Sequence, residues 1–431
     1  MKKLVTILCM ALALSIACVP AMAEGTRDTY RVFLPLNEGM PYTEAFLDVC
    51  RLAEEELGIT IEVEAVSDDD QYQQKWRTYI AANDLPDIIG PTGSTSDATL
   101  AMQGKIVDLK PVLTELGLDG KIYEPLCRFQ SFANGFQFAL PEQINCEVFY
   151  YWKEPLEKIG AEAPATWNEF LDVCARLKDA GYTPFGLAGK STWHILRFPL
   201  FAPFRVTGNE FFNKLKKGEA SFGDEPALTG LRLLAEFGQK GYFQEGFSTM
   251  DTADVMDSFC NGNIVFSYTG TWDAPLLNDL YAEGKIGYML IPDVDGVDCS
   301  NGLRMYLQGG GGYGFSAESF DDNMKQFVRI WVENYGELMS APGTALSPMA
   351  GADTASLSPL LKDLYGEAMA TPDYAALPDA KFDSSTLLTL GAALNELALG
   401  DITVEEFVAT LDDALATNAP LFFTEEVDDF F

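Results

Sequence analysis

The feature that most constrains the fold is the alternation of strand and helix patterns over residues 29–90. Short apolar segments at 29–34, 59–66 and 86–90 are typical of strands, and amphipathic stretches at about 43–57 and 68–82 predict helices between them. This β-α-β-α-β order predicts a mostly parallel sheet with helices on both faces. Ligands of such sheets bind beyond the carboxyl ends of the strands, so polar residues at those ends are candidates for a site.

The amino terminus predicts secretion. Lys2 and Lys3 precede an apolar run, residues 4–19, and the small residues Ala21 and Ala23 then occupy the positions that a signal peptidase accepts. We therefore expect residues 1–23 to be a signal peptide, with lipidation at Cys18 as the alternative. No later apolar stretch approaches the roughly 20 residues that span a bilayer. The mature protein is expected outside the cytoplasm, as a secreted, periplasmic or cell-surface protein, or anchored through a lipid on Cys18.

Charge and histidine content exclude several functions. The chain has 29 Lys and Arg against 64 Asp and Glu, a net charge of −35, which repels nucleic acid and anionic lipid. The single histidine, His194, cannot supply the His pairs of most catalytic zinc sites. We expect no nucleic-acid partner, no metal and no cofactor. Six cysteines follow the signal peptide without a CxxC spacing. We expect them to be small buried residues, with disulfides as the alternative.

Two other motifs resemble ligand sites but lack a necessary part. Residues 309–314 satisfy GxGxxG, but Phe315-Ser316 continues as a strand and no glycine opens a helix, so a dinucleotide site is not expected. The acidic run 293–298 resembles a calcium loop, but Arg304 stands where the closing glutamate would be. We therefore interpret the acidic run as a solvated turn.

Seven segments, taken in order, resemble one protein family. Pro164–Phe170 includes a capping box, with Thr166 as N-cap and Glu169 three residues on. The full set is 85–88, 104–109, 155–160, 164–170, 259–263 with Gly270-Thr271-Trp272, Ile286-Gly287 with Pro292, and the glycine-rich turn before Phe315. Together they resemble the extracellular solute-binding proteins of bacterial carbohydrate ABC importers, over nearly all of residues 27–420. One departure is Trp152, which stands before Lys153 where the family usually has Asn.

The resemblance implies an α/β, two-lobed periplasmic-binding-protein fold, type II-like, in which each lobe is a mostly parallel sheet flanked by helices and a hinge joins the lobes. The expected first lobe is 27–139 with about 286–343, and the second is 140–285 with about 344–431. The implied function is to close on a sugar and deliver it to the transmembrane permease subunits of an ABC importer. We expect a monomer without enzymatic activity. A non-sugar solute (peptide, organic acid or polyamine) and a secreted glycosidase remain alternatives.

Candidate binding residues follow from the shape of a pyranose, which has a C–H face and a rim of hydroxyls. Such a ligand calls for flat aromatic surfaces and fixed polar groups. Trp272 lies just past a predicted strand end beside Gly270, and Trp193 lies in a loop before an apolar helix. Both could instead be half-buried core residues. Predicted strand ends carry the polar candidates Glu38, Asp87, Asp97, Glu142 and Gln308. The alternatives are a turn cap for Asp87 and solvated side chains for the others.

Overall fold

The computed structural model describes residues 27–67, 69–340, 343–371 and 382–424. The strands of these ranges are β1 Thr29–Leu34, β2 Thr60–Ala65, β3 Ile88–Ile89, β4 Asn145–Trp152, β5 Phe185–Gly186, β6 Phe266–Gly270, β7 Ile286–Met289, β8 Tyr306–Gln308 and β9 Gly314–Phe315. The α-helices are α1 Pro41–Leu57, α2 Asp69–Ala82, α3 Thr95–Met102, α4 Leu109–Glu115, α5 Glu124–Phe129, α6 Lys153–Lys158, α7 Trp167–Asp179, α8 Thr192–Thr207, α9 Asn209–Lys216, α10 Ala227–Gln239, α11 Thr252–Cys260, α12 Ala274–Ala282, α13 Asp322–Ser340, α14 Pro359–Ala370, α15 Ser384–Leu399 and α16 Val404–Phe422.

The first sheet has the strand order β2-β1-β3-β9. β1 is parallel to both β2 and β3, as the sequence predicts, and β9 is antiparallel to β3. Gly58, at φ 69°, ends α1 in the left-handed conformation that favours glycine. Apolar residues of β1, β9, α1 and α13 form the first core cluster, which includes Phe46, Phe315 and Trp331.

The second sheet has the order β5-β6-β4-β7, with β8 also paired to β4. Only β5 and β6 are parallel, because β4 pairs antiparallel with β6, β7 and β8. The prediction of a mostly parallel sheet in each lobe is therefore corrected for this sheet. The reason is that β6, α12 and β7 form a strand-helix-strand unit whose two strands run in the same direction, and β4 lies between them in the opposite direction.

The pairing of β7 and β8 with β4 changes one predicted boundary between the lobes. The sequence assigned residues 286–343 to the first lobe, but β7 and β8 pair with β4 in the second sheet. The chain returns to the first sheet after Gln308. We therefore propose a boundary near residue 309 in place of 286, and the division into lobes is otherwise kept as a proposal.

Two segments that connect the sheets lie side by side. Leu140 and Tyr313 exchange both backbone hydrogen bonds at 2.9 Å, and the N–H of Glu142 donates to the carbonyl oxygen of Gly309 at 2.8 Å. Gly312 has φ +76°, and a Cβ there would lie 2.7 Å from the carbonyl oxygen of Leu140. Glycine is required at this position for both reasons. We call residues 139–144 and 309–313 the crossing segments.

Candidate functional site

Three strand ends of the second sheet and the start of one helix meet at a single edge. Because β4 is antiparallel to β6 and β8, its first residues lie beside their last ones, with Glu147 opposite Gly270 and Asn145 opposite Gln308. α8 begins at the same edge, where His194 bridges to the sheet. Its Nε2 lies 3.0 Å from the carbonyl oxygen of Tyr268, and its Nδ1 accepts the N–H of Ala188 at 3.2 Å.

The two tryptophans predicted to bind ligand are brought together at this edge. Trp193 in α8 and Trp272 just after β6 have ring centroids 5.8 Å apart and planes at 82°. Both side chains are half-buried. We call this pair the aromatic corner. Trp272 also packs against the first core cluster, which lies around the other sheet.

Each indole of the aromatic corner packs against another group of the protein. The guanidinium carbon of Arg197 lies 4.5 Å from the centroid of the Trp193 ring, a cation–π contact. The Trp272 ring lies against the backbone of Gly270, where a Cβ would come within 2.2 Å of Cζ3. Trp272 follows Gly270 closely in the sequence, and the close approach of the ring explains why position 270 is a glycine.

A buried polar network lies beneath the aromatic corner and centres on the carboxylate of Glu147. This carboxylate pairs with Arg197 and accepts a hydrogen bond from the hydroxyl of Tyr268. It also accepts a hydrogen bond from Nε2 of Gln308 at 3.0 Å. Neither charged side chain of the pair is more than 4% exposed. Glu147 and Arg197 were not predicted from the sequence. Each is a single charged residue inside an apolar run of the sequence. This pattern could have indicated a buried ion pair, because a charge buried there needs a partner.

Two titratable groups at the site have shifted pKa values. Burial raises the pKa of Asp273 to about 6, although hydrogen bonds from Thr269 and Trp272 lower it. Burial lowers the pKa of His194 to about 4, against the smaller raising effect of its hydrogen bond to Tyr268. Near neutral pH, Asp273 is therefore ionised and His194 is neutral.

The structure corrects the prediction for Asp87. This residue precedes β3 and lies at the amino end of that strand, away from the carboxyl ends where a ligand would bind. Its carboxylate pairs with Arg27 at 2.8 Å and accepts the backbone N–H of Arg31 at 2.6 Å. Asp87 is 3% exposed and ties the start of the first sheet together.

Asp97 also has a structural role. It lies in the first turn of α3, just after the loop that follows β3, and is 1% exposed. It forms a capping box with Ser94, and its Oδ2 also accepts the backbone N–H of Thr92 at 3.0 Å. Burial raises the pKa of this carboxyl. Asp97 therefore shapes the loop that follows β3.

The other predicted polar residues lie at or near the crossing segments and the strand ends. Gln308, 5% exposed, joins the polar network, and its Oε1 accepts the N–H of Gly310 at 2.5 Å. Glu142 is half-buried within the crossing segment. Glu38 is exposed in the turn that follows β1. Contact of these three residues with a ligand stays a prediction.

The remaining sequence motifs have structural explanations. Phe315 ends β9 without opening a helix. Asp293, from the acidic run, pairs with the buried Arg205. In the described part of the chain, no group of three or more Asp, Glu, His or Cys side chains is arranged to hold a metal ion. None of the helices in the described ranges combines the length and apolar character needed to cross a membrane.

The cysteines after the predicted signal peptide are all free in the structure. Cys50, Cys146 and Cys174 are buried, as expected from the sequence, whereas Cys127, Cys260 and Cys299 are half-buried, which differs from the expectation that all six are buried. Burial raises the pKa of the three buried thiols. Cys18, the alternative lipidation site, lies outside the described residues.

Comparison with known proteins identifies the family. The family model described as bacterial extracellular solute-binding protein matches residues 49–376, well over half of the chain. The chain belongs to this family. A multiple sugar-binding protein of Streptococcus mutans is 24% identical over 243 residues, 52% of this chain and 55% of that protein. The putative ABC transporter periplasmic-binding protein YcjN of Escherichia coli is 26% identical over 235 residues, 53% of this chain and 52% of that one.

The chain thus spans about half the length of the curated relatives it matches. The similarity to a solved structure is more extensive. A chitin oligosaccharide binding protein is 25% identical with a TM-score of 0.79, covering 92% of this solute-binding protein and 100% of that chain. The predicted two-lobed α/β fold is confirmed by this match.

Proposed function

We propose that this protein is the extracytoplasmic, sugar-binding component of an ABC importer. The observation that carries the proposal is the aromatic corner, two half-buried indoles at right angles beside the carboxyl end of β6. Aromatic faces suit the C–H faces of pyranose rings, and Glu142, Gln308 and Glu38 are proposed to bind the hydroxyls. The names of the Streptococcus relative and of the chitin oligosaccharide binding protein support a sugar as the ligand.

The charge around the aromatic corner favours a neutral sugar over an anionic solute. Arg197, the cation in contact with the Trp193 ring, is already paired with Glu147. Asp273 and Glu142 place further carboxyl groups near the aromatic corner and the crossing segments. An anionic ligand would meet these carboxylates, while the charge of Arg197 is already balanced by Glu147. Organic acids are therefore disfavoured, whereas neutral oligosaccharides fit the site.

Hinge closure supplies the mechanism. The crossing segments connect the sheets, and Trp272 already contacts apolar residues of the other core. A sugar held between the lobes shifts the population toward the closed form, which the permease subunits recognise. In this proposal the protein binds as a monomer, releases the sugar unchanged, and works outside the cytoplasm after removal of residues 1–23 or lipidation at Cys18.

Titration calorimetry against a panel of neutral mono- and oligosaccharides tests the proposal. We expect binding tighter than about 1 mM for at least one sugar. Trp272→Ala and Trp193→Ala should each abolish or strongly weaken that binding. The matched control is Trp152→Ala, a half-buried tryptophan at the opposite end of β4, which should leave affinity unchanged.

Two results would contradict the proposal. If no sugar binds while another class of solute does, the ligand assignment is wrong. If chromatography of the incubated sugar shows turnover products, the protein is an enzyme and binding without chemistry is wrong. Co-purification with the permease subunits would test the partner separately from the ligand.

A further inference from the structure

Glu147 lies at the position where β4 changes partners. Its backbone is opposite Gly270 of β6 on one side and opposite Tyr306 of β8 on the other. Its side chain is 0% exposed, and its carboxylate accepts hydrogen bonds from three elements: Arg197 of α8, Tyr268 of β6 and Gln308 of β8. One buried anion therefore connects the helix that carries Trp193 with the strands that form the site edge.

Stability alone is a weak reason for such a pair. Removing two charges from water costs several kcal/mol per ion, and apolar replacements of buried pairs are often neutral or stabilising. The geometry offers another reason, because the planar guanidinium of Arg197 lies 4.5 Å from the centroid of the Trp193 ring. A planar cation can stack on an aromatic face while its N–H groups bind a carboxylate at its edge.

We propose that Glu147 and Arg197 form a positioning pair that fixes the Trp193 ring in the orientation required for sugar stacking. The inference rests on the proposed function, since it names the residues that orient one of the two sugar-binding rings. Glu147 is the fixed point, held by Tyr268 and Gln308. Arg197 transmits that position to the ring. Neither residue needs to touch the sugar.

Gln308 links the carboxylate of Glu147 to the crossing segments by hydrogen bonds. Its Nε2 donates to Glu147 at 3.0 Å, while its Oε1 accepts from the N–H of Gly310 at 2.5 Å and from Nδ2 of Asn145 at 3.3 Å. These contacts agree with a single orientation of the amide. The carboxylate that positions Arg197 is thereby linked through one side chain to the backbone that connects the sheets.

The test compares two conservative substitutions on the same helix. Arg197→Lys keeps a positive charge near Glu147 but removes the planar group that stacks on Trp193. Arg205→Lys is the matched control, because Arg205 is also in α8, is 1% exposed and pairs with Asp293 at a distance from the aromatic corner. A merely structural role predicts that both variants lower Tm and leave sugar affinity unchanged.

Two readouts are needed so that the proposed function and the positioning role can fail separately. The first is sugar affinity by calorimetry, with an expected loss of about tenfold or more for Arg197→Lys and none for Arg205→Lys. The second is the ¹⁹F spectrum of protein labelled with 5-fluorotryptophan, in which the Trp193 resonance is assigned by its loss in Trp193→Phe. We expect this resonance to shift or broaden in Arg197→Lys only.

Each outcome decides one claim. An unmoved Trp193 resonance together with unchanged affinity in Arg197→Lys would overturn the positioning role. If the wild type binds no sugar, the proposed function fails, and the fluorine resonance still decides whether the pair orients the ring. Should Arg197→Lys fold poorly, the double variant Arg197→Met with Glu147→Gln removes both charges, and the same two readouts apply.

Discussion

Replacing Gly270 by alanine tests the position of Trp272 without removing any part of its ring. Gly270 has φ −113° and ψ −176°, an extended conformation that alanine adopts freely, so the backbone itself is not strained. The added Cβ would lie 2.2 Å from Cζ3 of Trp272 and 2.5 Å from Cε3 and Cη2. Carbon atoms in contact sit about 3.5–4.0 Å apart, so the ring must retreat by more than about 1 Å.

The magnitude follows from the contacts that the displaced ring loses. At about 25 cal/mol per Å², a pyranose face that covers about 60 Å² of indole contributes about 1.5 kcal/mol. The edge-to-face contact with Trp193 contributes about 0.5–1.5 kcal/mol more to holding the ring. The sugar-contact contribution corresponds to about tenfold, so we expect Gly270→Ala to weaken sugar binding by about tenfold or more.

Calorimetry measures the affinity, and thermal unfolding checks that the fold is intact. The control is Gly366→Ala in α14, where an added Cβ meets nothing within 4 Å. Alanine at that helical position should raise stability by up to about 1 kcal/mol and leave affinity unchanged. Wild-type affinity in a well-folded Gly270→Ala variant would refute the assignment of Trp272 as a sugar-stacking surface.

Three further predictions use other parts of the molecule. Burial raises the pKa of Asp273 to about 6 from the ordinary 3.8. The protonated carboxyl therefore stabilises the fold below about pH 4, and this stabilisation is lost as pH rises through about 6. Asp273→Asn should raise Tm at pH 7 but not at pH 4. Asp87→Ala removes the acceptor of the Arg31 N–H and should cost about 1–3 kcal/mol of stability, while calorimetry shows unchanged sugar affinity. Gly312→Ala should lower Tm more than Gly351→Ala. The two glycines have similar φ values, +76° and +70°, so the backbone strain is matched, and only the Cβ at position 312 would meet neighbouring atoms.

Three of the four strands of the first sheet could be predicted from the sequence because they follow one another closely along the chain. Strands β1, β2 and β3 are separated by single helices, and a strand-helix-strand unit fixes parallel pairing. The second sheet could not be predicted in the same way. β4 pairs with three strands that follow it by more than 100 residues, and the sequence carries no periodic signal for that pairing.

The candidate site could be predicted where one residue type suits the proposed chemistry. Trp193 and Trp272 were chosen as aromatic surfaces, and the structure brings them together at 5.8 Å. The carboxylates were less predictable, because the chain has 64 acidic residues and strand-end position alone does not separate them. Asp87 was predicted at the carboxyl end of a strand, but it precedes β3. Glu147 was missed because it lies inside one, where only its burial and its partners distinguish it.

The start of β4 connects the recognition surface to the proposed hinge. Its first residues follow a crossing segment directly, and within three residues the strand contributes Asn145 and Glu147 to the site edge. Gln308, at the end of β8, is likewise next to a crossing segment, and its side chain accepts the N–H of Gly310 in that segment. Because the same backbone both links the sheets and anchors the polar network, a rotation of the lobes about the crossing segments must act on the groups that hold Trp193. Sugar stacking and lobe closure are therefore expected to influence each other without a separate relay.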